Sequence, residues 1–471
     1  MTEFLHGIDT VRQKADSIIT EADTSIVCIV GTAPVFNLKK ENRTINIPQP
    51  IRGYDEIALY AGDDIEGFTL PDALKTVLDE SEGATIYMIN VFDPEKHTKT
   101  VTQTLPLLNK KVVINDLVIS LNVKNYEEGK DFRVNKNTIE AISEEFQALE
   151  SIDVEYIAAD VTAVTKADYI GTTNEEGKRT GIQSIEDVQA LYGDKVGIVI
   201  VPEASAIKEV RNAIELLADD LKFYAYYDAK KGMNVNKAVL SRTAPVDGFD
   251  SSTVTKNGTI VTPYVKRYST YRDKTELRPL SPVAAGLRVY LDRNRNVAKS
   301  IDNTVSKTIL GTEYPISFKL NKANTDANAL NKAGYTTVIN YKGAYRLWGG
   351  RNCAFPSTSG LETFEHVSRT ANFIEDSIQD SSFEMVGETI TQGFINDVLE
   401  AIKNFFNKLK NPQNQIILDG DVWYDPSSNS TEDLANGFII FDYEFCPPPT
   451  VEHLRYRSKI KIQIITNTLG E

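Results

Sequence analysis

The run T-S-I-V-C-I-V-G-T-A-P (24–34) is apolar and β-branched, has no helical spacing, and is closed by Gly31 and Pro34. Its length and composition predict a buried strand. Ahead of it, residues 4–17 keep no sustained period and read as an extended arm; a frayed tail is the plain alternative. Leu70-Pro71-Asp72 opens a helix, with Pro71 suited to the first turn and Leu74, Val77 and Leu78 on one face. A strand over 84–91 follows, and strand, helix, strand begins an α/β unit. A second buried strand, 196–201, is closed by Pro202. The helix predicted after it, 205–221, carries Ile207, Val210, Ile214, Leu217 and Leu221 as one stripe.

Between these two halves the pattern changes. Short β-branched runs, Val112-Val113-Ile114 and Leu117-Val118-Ile119, are separated by turn residues such as Asn115-Asp116 and Glu128-Gly129. That predicts a small all-β module of four or more strands, inserted over 101–179 in a chain that then resumes α/β character. Residues 120–178 carry thirteen acids against six bases, a net of −7, which suits a face turned to solvent.

The C-terminal third alternates again. Ser281-Pro282 predicts a helix start, Ser281 as the cap and Pro282 in the first turn. Y-R-L-W-G-G-R-N (345–352) is a strand ending in an aromatic and a double glycine. H-V-S-R-T-A-N-F-I-E-D-S-I (366–378) is an amphipathic helix with Phe364, Val367, Ala371, Ile374 and Ile378 on its stripe. A longer helix over 389–409 buries Ile395, Val398, Leu399, Ile402, Phe406 and Leu409. Strands over 437–445 and 454–465 end the chain. The last alternates Tyr456, Ile460, Ile462 and Ile464 on one face with Arg455, Arg457, Lys459 and Lys461 on the other.

The chain has 471 residues, 41% hydrophobic and 25% charged, which predicts two or three ordinary globular units. A net charge of −15 argues against coating a nucleic acid duplex. No apolar run approaches a membrane span, and no secretory leader is expected. Cys28, Cys353 and Cys446 are odd in number and far apart, as expected of free thiols in a cytoplasm.

Candidate chemistry is sparse. G-T-T-N-E-E-G-K-R (171–179) has five residues between its glycines and Arg179 where a phosphate loop needs Ser or Thr, so it reads as a polar turn. Gly349-Gly350 lacks the third glycine of a dinucleotide fingerprint. Asp419-Gly420-Asp421 offers two hard oxygen ligands and reads as a turn between strands. His6, His97, His366 and His453 show no metal-ligand spacing; His366 is expected packed or at an interface. No catalytic, cofactor or metal residues are assigned.

Taken in order along the chain, these segments resemble the tail sheath proteins of temperate contractile-tailed phages. The resemblance is carried by T-S-I-V-C-I-V-G-T-A-P, L-P-D-A-L-K-T-V-L (70–78), K-N-Y-E-E-G-K-D-F-R-V (124–134), I-G-T-T-N-E-E-G-K-R-T-G (170–181) and S-P-V-A-A-G-L (281–287). It continues through Y-R-L-W-G-G-R-N, I-L-D-G-D-V-W-Y-D-P (417–426) and F-D-Y-E-F-C-P-P-P-T-V-E-H-L-R-Y-R-S (441–458). The run Arg351-Asn352-Cys353 departs from the family, where a hydroxyl residue stands near the cysteine.

The resemblance implies a multi-domain α/β (α+β) fold: an arm (1–20), a discontinuous middle domain (21–100 and 180–345), an outward β insertion (101–179), a tube-facing domain (346–452) and a terminal strand (453–471). It implies a structural subunit and no enzyme, without cofactors. Hexameric rings would stack on an inner tube and contract to drive it through a cell envelope. Partners are then other copies, the tube, baseplate and tail terminator proteins, with no direct nucleic-acid or membrane binding. The subunit belongs to a virion tail and is assembled in the bacterial host cytoplasm.

Ile8, Val11, Tyr456, Ile460, Ile462 and Ile464 are the expected inter-subunit strand residues, and Lys403, Lys408 and Lys410 the expected tube contact. A helix-dipole role for the lysines stays open beside that one. Two other functions also stay open: a bacteriocin-like or other injection particle, and, from a different class, a soluble α/β enzyme with a β accessory domain.

Overall fold

The computed structural model describes residues 19–135 and 137–460. Strand β1 (Val27–Gly31) is an interior strand of an eight-stranded sheet. β2 (Gln49–Ile51) and β3 (Ile86–Asn90) lie on one side of it, with helix α1 (Leu70–Ser81) between them in sequence. After β3 the chain builds β4 (Thr98–Pro106), β5 (Lys111–Val113), β6 (Val118–Val123), β7 (Phe132–Asn135), β8 (Thr138–Ala141) and β9 (Ser151–Ala159). They pair as two three-stranded antiparallel sheets, β4-β9-β6 and β5-β8-β7. Phe132, Ile139, Phe146, Val154 and Tyr156 form a hydrophobic core of their own between them. The Asp160 amide donates to the His97 carbonyl at 2.9 Å, so this module enters and leaves through one narrow neck.

The large sheet then resumes on the other side of β1 with β10 (Ile198–Ile200), helix α2 (Lys208–Leu221), β11 (Tyr224–Asp228) and β12 (Gly258–Val261), all parallel to β1. β13 (Val265–Ser269), β14 (Lys274–Arg278) and β15 (Gly311–Thr312) make a small side sheet, and helix α3 (Ser281–Asn294) lies between the last two in sequence. β16 (Tyr335–Tyr341) and β17 (Ala344–Trp348) close the large sheet as an antiparallel pair.

The central strands are apolar throughout because both faces of the sheet are covered. Alternate residues feed two cores: Val27, Ile29, Tyr224 and Tyr226 pack with α1 and α3, while Cys28, Val30, Ala225 and Tyr227 pack with α2. α1 and α3 cross closely at Gly286, where a Cβ would lie 2.7 Å from Glu80 Cβ. The crevice at the C-terminal ends of β1 and β10 is the usual ligand position in such sheets. Just after β1, Thr32 and Thr69 are cross-linked, each backbone amide donating to the other's hydroxyl at 3.1 and 3.2 Å.

The C-terminal region adds helices α4 (Glu365–Ser381) and α5 (Gln392–Leu409) and the hairpin β18 (Asp419–Trp423)–β19 (Asp442–Cys446). Phe373, Ile374, Val398, Ile402, Phe405, Phe406 and Val422 form its core, and Ile19 joins them.

Several expectations are corrected. Ser281 is the first residue of α3 and not its cap. The α3 N-terminus is held by Asp228 of β11, whose carboxylate accepts from the Leu280 and Ser281 amides at 3.0 and 2.8 Å and from the Ser281 hydroxyl at 2.6 Å. A buried anion meeting a helix N-terminus replaces the local cap. The helix expected from 205 begins at Lys208, after a short turn Ala204–Ala206. Asp419-Gly420-Asp421 lies inside β18 instead of in a turn, because Gly420 must pass under the Phe406 ring; a Cβ there would sit 3.1 Å from it. The strand expected over 437–445 is confined to Asp442–Cys446. Residues 454–460, expected in a strand, have no strand conformation and pair with no other strand among the described residues, and the rest of that segment lies outside them.

Candidate functional site

Helix α4 is tied to residues 20–22 and to Pro448. Its first turn follows W-G-G-R, whose glycines bring β17 close to the body: a Cβ on Gly350 would lie 2.6 Å from Ser300 Oγ, and Gly349 adopts φ 113°. Glu365 N then donates to Gly350 O at 3.0 Å, and Arg351 bridges to Phe364.

Between α3 and α4 lies a buried charged joint. Arg369 donates to both carboxylate oxygens of Asp292 at 2.8 and 2.6 Å and to the Thr24 carbonyl at 3.0 Å. Arg288, four residues before Asp292 on α3, reaches the same carboxylate at 2.8 Å and Glu365 at 3.5 Å. Tyr226 from β11 donates to Glu365 at 2.9 Å. Burial pushes the Asp292 carboxyl up, but the charges of Arg288 and Arg369 outweigh it and hold the group below its ordinary range. Burial acts against the Arg369 cation too, and Asp292 overcomes it, raising that pKa. Two cations, two anions and a phenol thus lock the C-terminal helix to the central sheet.

Segments toward both ends of the described residues are attached to α4. At its C-terminal end the Thr20 amide donates to Ser381 Oγ at 2.9 Å and the Ala22 amide to Ser377 Oγ at 3.0 Å. At its N-terminal end His366 Nε2–H donates to the Pro448 carbonyl at 3.0 Å. Burial lowers the His366 pKa and keeps the ring neutral. Sixteen residues of helix separate the two attachment points, Ser381 and His366 included, which is about 23 Å along the axis.

The hairpin β18–β19 presents two different faces. Gly420, Val422, Tyr443 and Phe445 turn toward α5, with the Phe406 and Tyr443 rings 6.2 Å apart. The opposite face holds Asp419, Asp421, Asp442 and Glu444 with Trp423 and Cys446. Asp421 stands directly across from Glu444, a like-charge pair that costs stability when nothing offsets it. Neither outer edge of this hairpin has a strand neighbour among the described residues.

Of the residues expected at inter-subunit links, Tyr456 and Ile460 are 89% and 94% exposed. Ile8, Val11, Ile462 and Ile464 lie outside the described residues. Lys403 and Lys408 are exposed on α5, and Lys410 follows its end. Lys408 pairs with Glu21 at 2.7 Å and Lys410 with Asp419 at 3.3 Å. The joint of Arg288, Asp292, Glu365 and Tyr226 was not foreseen. Its one local signal was the Arg288/Asp292 spacing of four on a helix. Among the described residues no three His, Cys, Asp or Glu side chains come together as metal ligands. No described helix is long and apolar enough to cross a membrane.

Residues 177–353 match the model of the phage tail sheath protein central domain. The tail sheath protein of Burkholderia phage BcepMu is 30% identical over 490 residues, covering 99% of each chain. That of Escherichia phage P2 is 28% identical over 305 residues, 65% of this chain and 73% of the relative. Among solved structures, the sheath complex of the extracellular contractile injection system PVC, in its contracted state, superposes with a TM-score of 0.62 at 12% identity. It covers 98% of this chain and all of the other. The baseplate of the anti-feeding prophage gives 0.60 at 14% identity, with the same coverage.

Proposed function

The chain belongs to the phage tail sheath family and is a structural protein, not an enzyme, and we propose that it polymerises as stacked hexameric rings around an inner tube and contracts to drive that tube through a target envelope. The work comes from a free-energy difference between two packings of the same subunit, and linkages that survive the exchange of lateral contacts hold the rings together. Strand addition supplies such linkages, because main-chain hydrogen bonds tolerate hinging of the bodies they join.

The observation that carries this reading is the match between the C-terminal segment and the hairpin β18–β19. The segment is exposed and alternates apolar residues (Tyr456, Ile460) with basic ones (Arg455, Arg457, Lys459). The hairpin has open edges, one apolar face and one acidic face. A segment from a second copy, added to either edge, continues the apolar face over α5 and brings its basic side chains beside Asp421 and Glu444. The like-charge pair is then neutralised from outside. An isolated apolar edge is an aggregation hazard that pairing removes.

Tube, baseplate and tail terminator proteins are the other partners in this reading. The β insertion faces outward, the α5 lysines face the tube, and the subunit is assembled in a bacterial cytoplasm into a virion. The experiment is a truncation after Glu452. It leaves a folded, soluble monomer that forms no tubes by negative-stain microscopy, while the full chain forms them. Normal tubes from the truncated chain refute the linkage.

A further inference from the structure

Arg351 opens the run Arg351-Asn352-Cys353, which lacks the hydroxyl residue expected near the cysteine, and the structure gives its side chain an elaborate setting. Its guanidinium lies 3.6 Å from the centre of the Phe364 ring and 4.8 Å from that of Phe355. Nη1 donates to the Thr363 hydroxyl. The remaining edge of the fork grips Glu452: Nε to Oε1 at 2.8 Å and Nη2 to Oε2 at 2.6 Å. The Arg351 side chain is only 17% exposed, and Glu452 comes to it across 101 residues of sequence. Two aromatic rings and a hydroxyl therefore orient a planar fork toward one carboxylate, the geometry in which Arg and Lys are not interchangeable.

The position of Glu452 gives the contact its meaning. After β19 the chain runs through Pro447, Pro448 and Pro449, a stiff stalk tied by His366 at Pro448. Among the described residues Glu452 is the last side chain held to the body. From His453 to Ile460 no hydrogen bond or ion pair to another described residue is present, and Leu454, Tyr456 and Ile460 are exposed.

We propose that Arg351 is a positioning residue for polymerisation: by gripping Glu452 it fixes the point at which the C-terminal arm leaves the body, and so sets the reach and direction of the strand offered to the next subunit. This rests on the reading of residues 453 onward as an inter-subunit strand. Without the grip, the tie at Pro448 remains and residues 449–452 join the free tether. Its length up to Tyr456 then doubles from four residues to eight, which lowers the effective concentration of the strand by about threefold per linkage.

The test uses the full chain with Glu452→Gln, which preserves shape and every other Arg351 contact, and Arg351→Lys, which preserves charge without the fork. Both variants are expected to melt with the wild type, to need about threefold more protein for half-maximal sedimentation of polymer, and to form tubes of less regular repeat. The truncation after Glu452 runs beside them. If it polymerises normally, the strand reading fails whatever the point variants do. If it does not polymerise while both point variants match the wild type in threshold and tube regularity, the strand reading stands and the clamp is refuted. A large loss of thermal stability in Glu452→Gln also overturns the proposal, since the pair would then belong to the fold and not to the arm.

Discussion

Replacing Arg369 with Met removes the central cation of the joint between α3 and α4. Two charge-assisted hydrogen bonds to Asp292 and one to the Thr24 carbonyl disappear. The pair is 2% and 4% exposed, so solvent screens little of it. Asp292 is not orphaned, because Arg288 and the Thr24 hydroxyl still hold it. The loss therefore falls at the lower end of the range for breaking a buried ion pair, about 3 kcal/mol. For a chain of this length the unfolding entropy is about 1 kcal/mol per kelvin, so the midpoint falls by about 3 °C. Arg369→Lys keeps the charge but not the fork, and loses about half as much.

The pH dependence carries the sharper test. Asp292 is held below its ordinary range in the folded chain, so the unfolded state binds more protons as the solution becomes acidic. The stabilisation is complete above the ordinary carboxylate range and is lost as pH falls through the lowered folded value. The gap between wild type and Arg369→Met should accordingly be largest near neutrality and narrow in acid. Calorimetric melts at several pH values measure it. A variant melting within 1 °C of wild type at neutral pH, or a gap that does not change with pH, refutes the assignment.

Replacing residues 98–159 with a short Gly/Ser linker should leave the remaining body folded and able to polymerise, because the module has its own core and its ends meet at His97 and Asp160; complete loss of assembly by a folded deletion product would contradict that. Lys403→Glu, Lys408→Glu and Lys410→Glu together should abolish extended sheath on tubes while empty contracted tubes still form, and should cost at most about 1 kcal/mol of stability, since the Lys408 and Lys410 pairs are exposed. Extended tails from that triple variant would leave the lysines as solvated helix-end charges. Thiol labelling of the native chain should modify Cys446 alone: burial pushes Cys353 up to about 11 and Cys28 higher still, whereas Cys446 is exposed. Three thiols should react after denaturation without reductant.

Much of the architecture was legible because the large sheet is covered on both faces. Strands such as Val27–Gly31 then carry an unbroken apolar signal, and amphipathic helices such as Lys208–Leu221 show a clean stripe. Helix α4 was half legible for the opposite reason. Glu365, Arg369 and Asp376 are buried, as is His366, which was expected packed; these polar letters belong to the interior, each matched by a partner distant in sequence. Asp228 substituting for a local cap on α3 is the same effect. Gly420 misled because a glycine between two aspartates reads as a turn, whereas the real constraint is an aromatic ring lying above it. The terminal strand is visible as alternation, yet residues 454–460 find no strand partner among the described residues.

The attachment of segments toward both ends of the described residues to α4 has a mechanical consequence. If copies are joined end to end, part of the tension between Thr20 and Pro448 passes through α4, whose hydrogen bonds lie parallel to its axis, and part through β1, the next strand after Thr20 in the chain. The Arg369–Asp292 joint braces that helix against being dragged off the sheet. Any pull shared between those two points therefore tests α4 over almost its whole length.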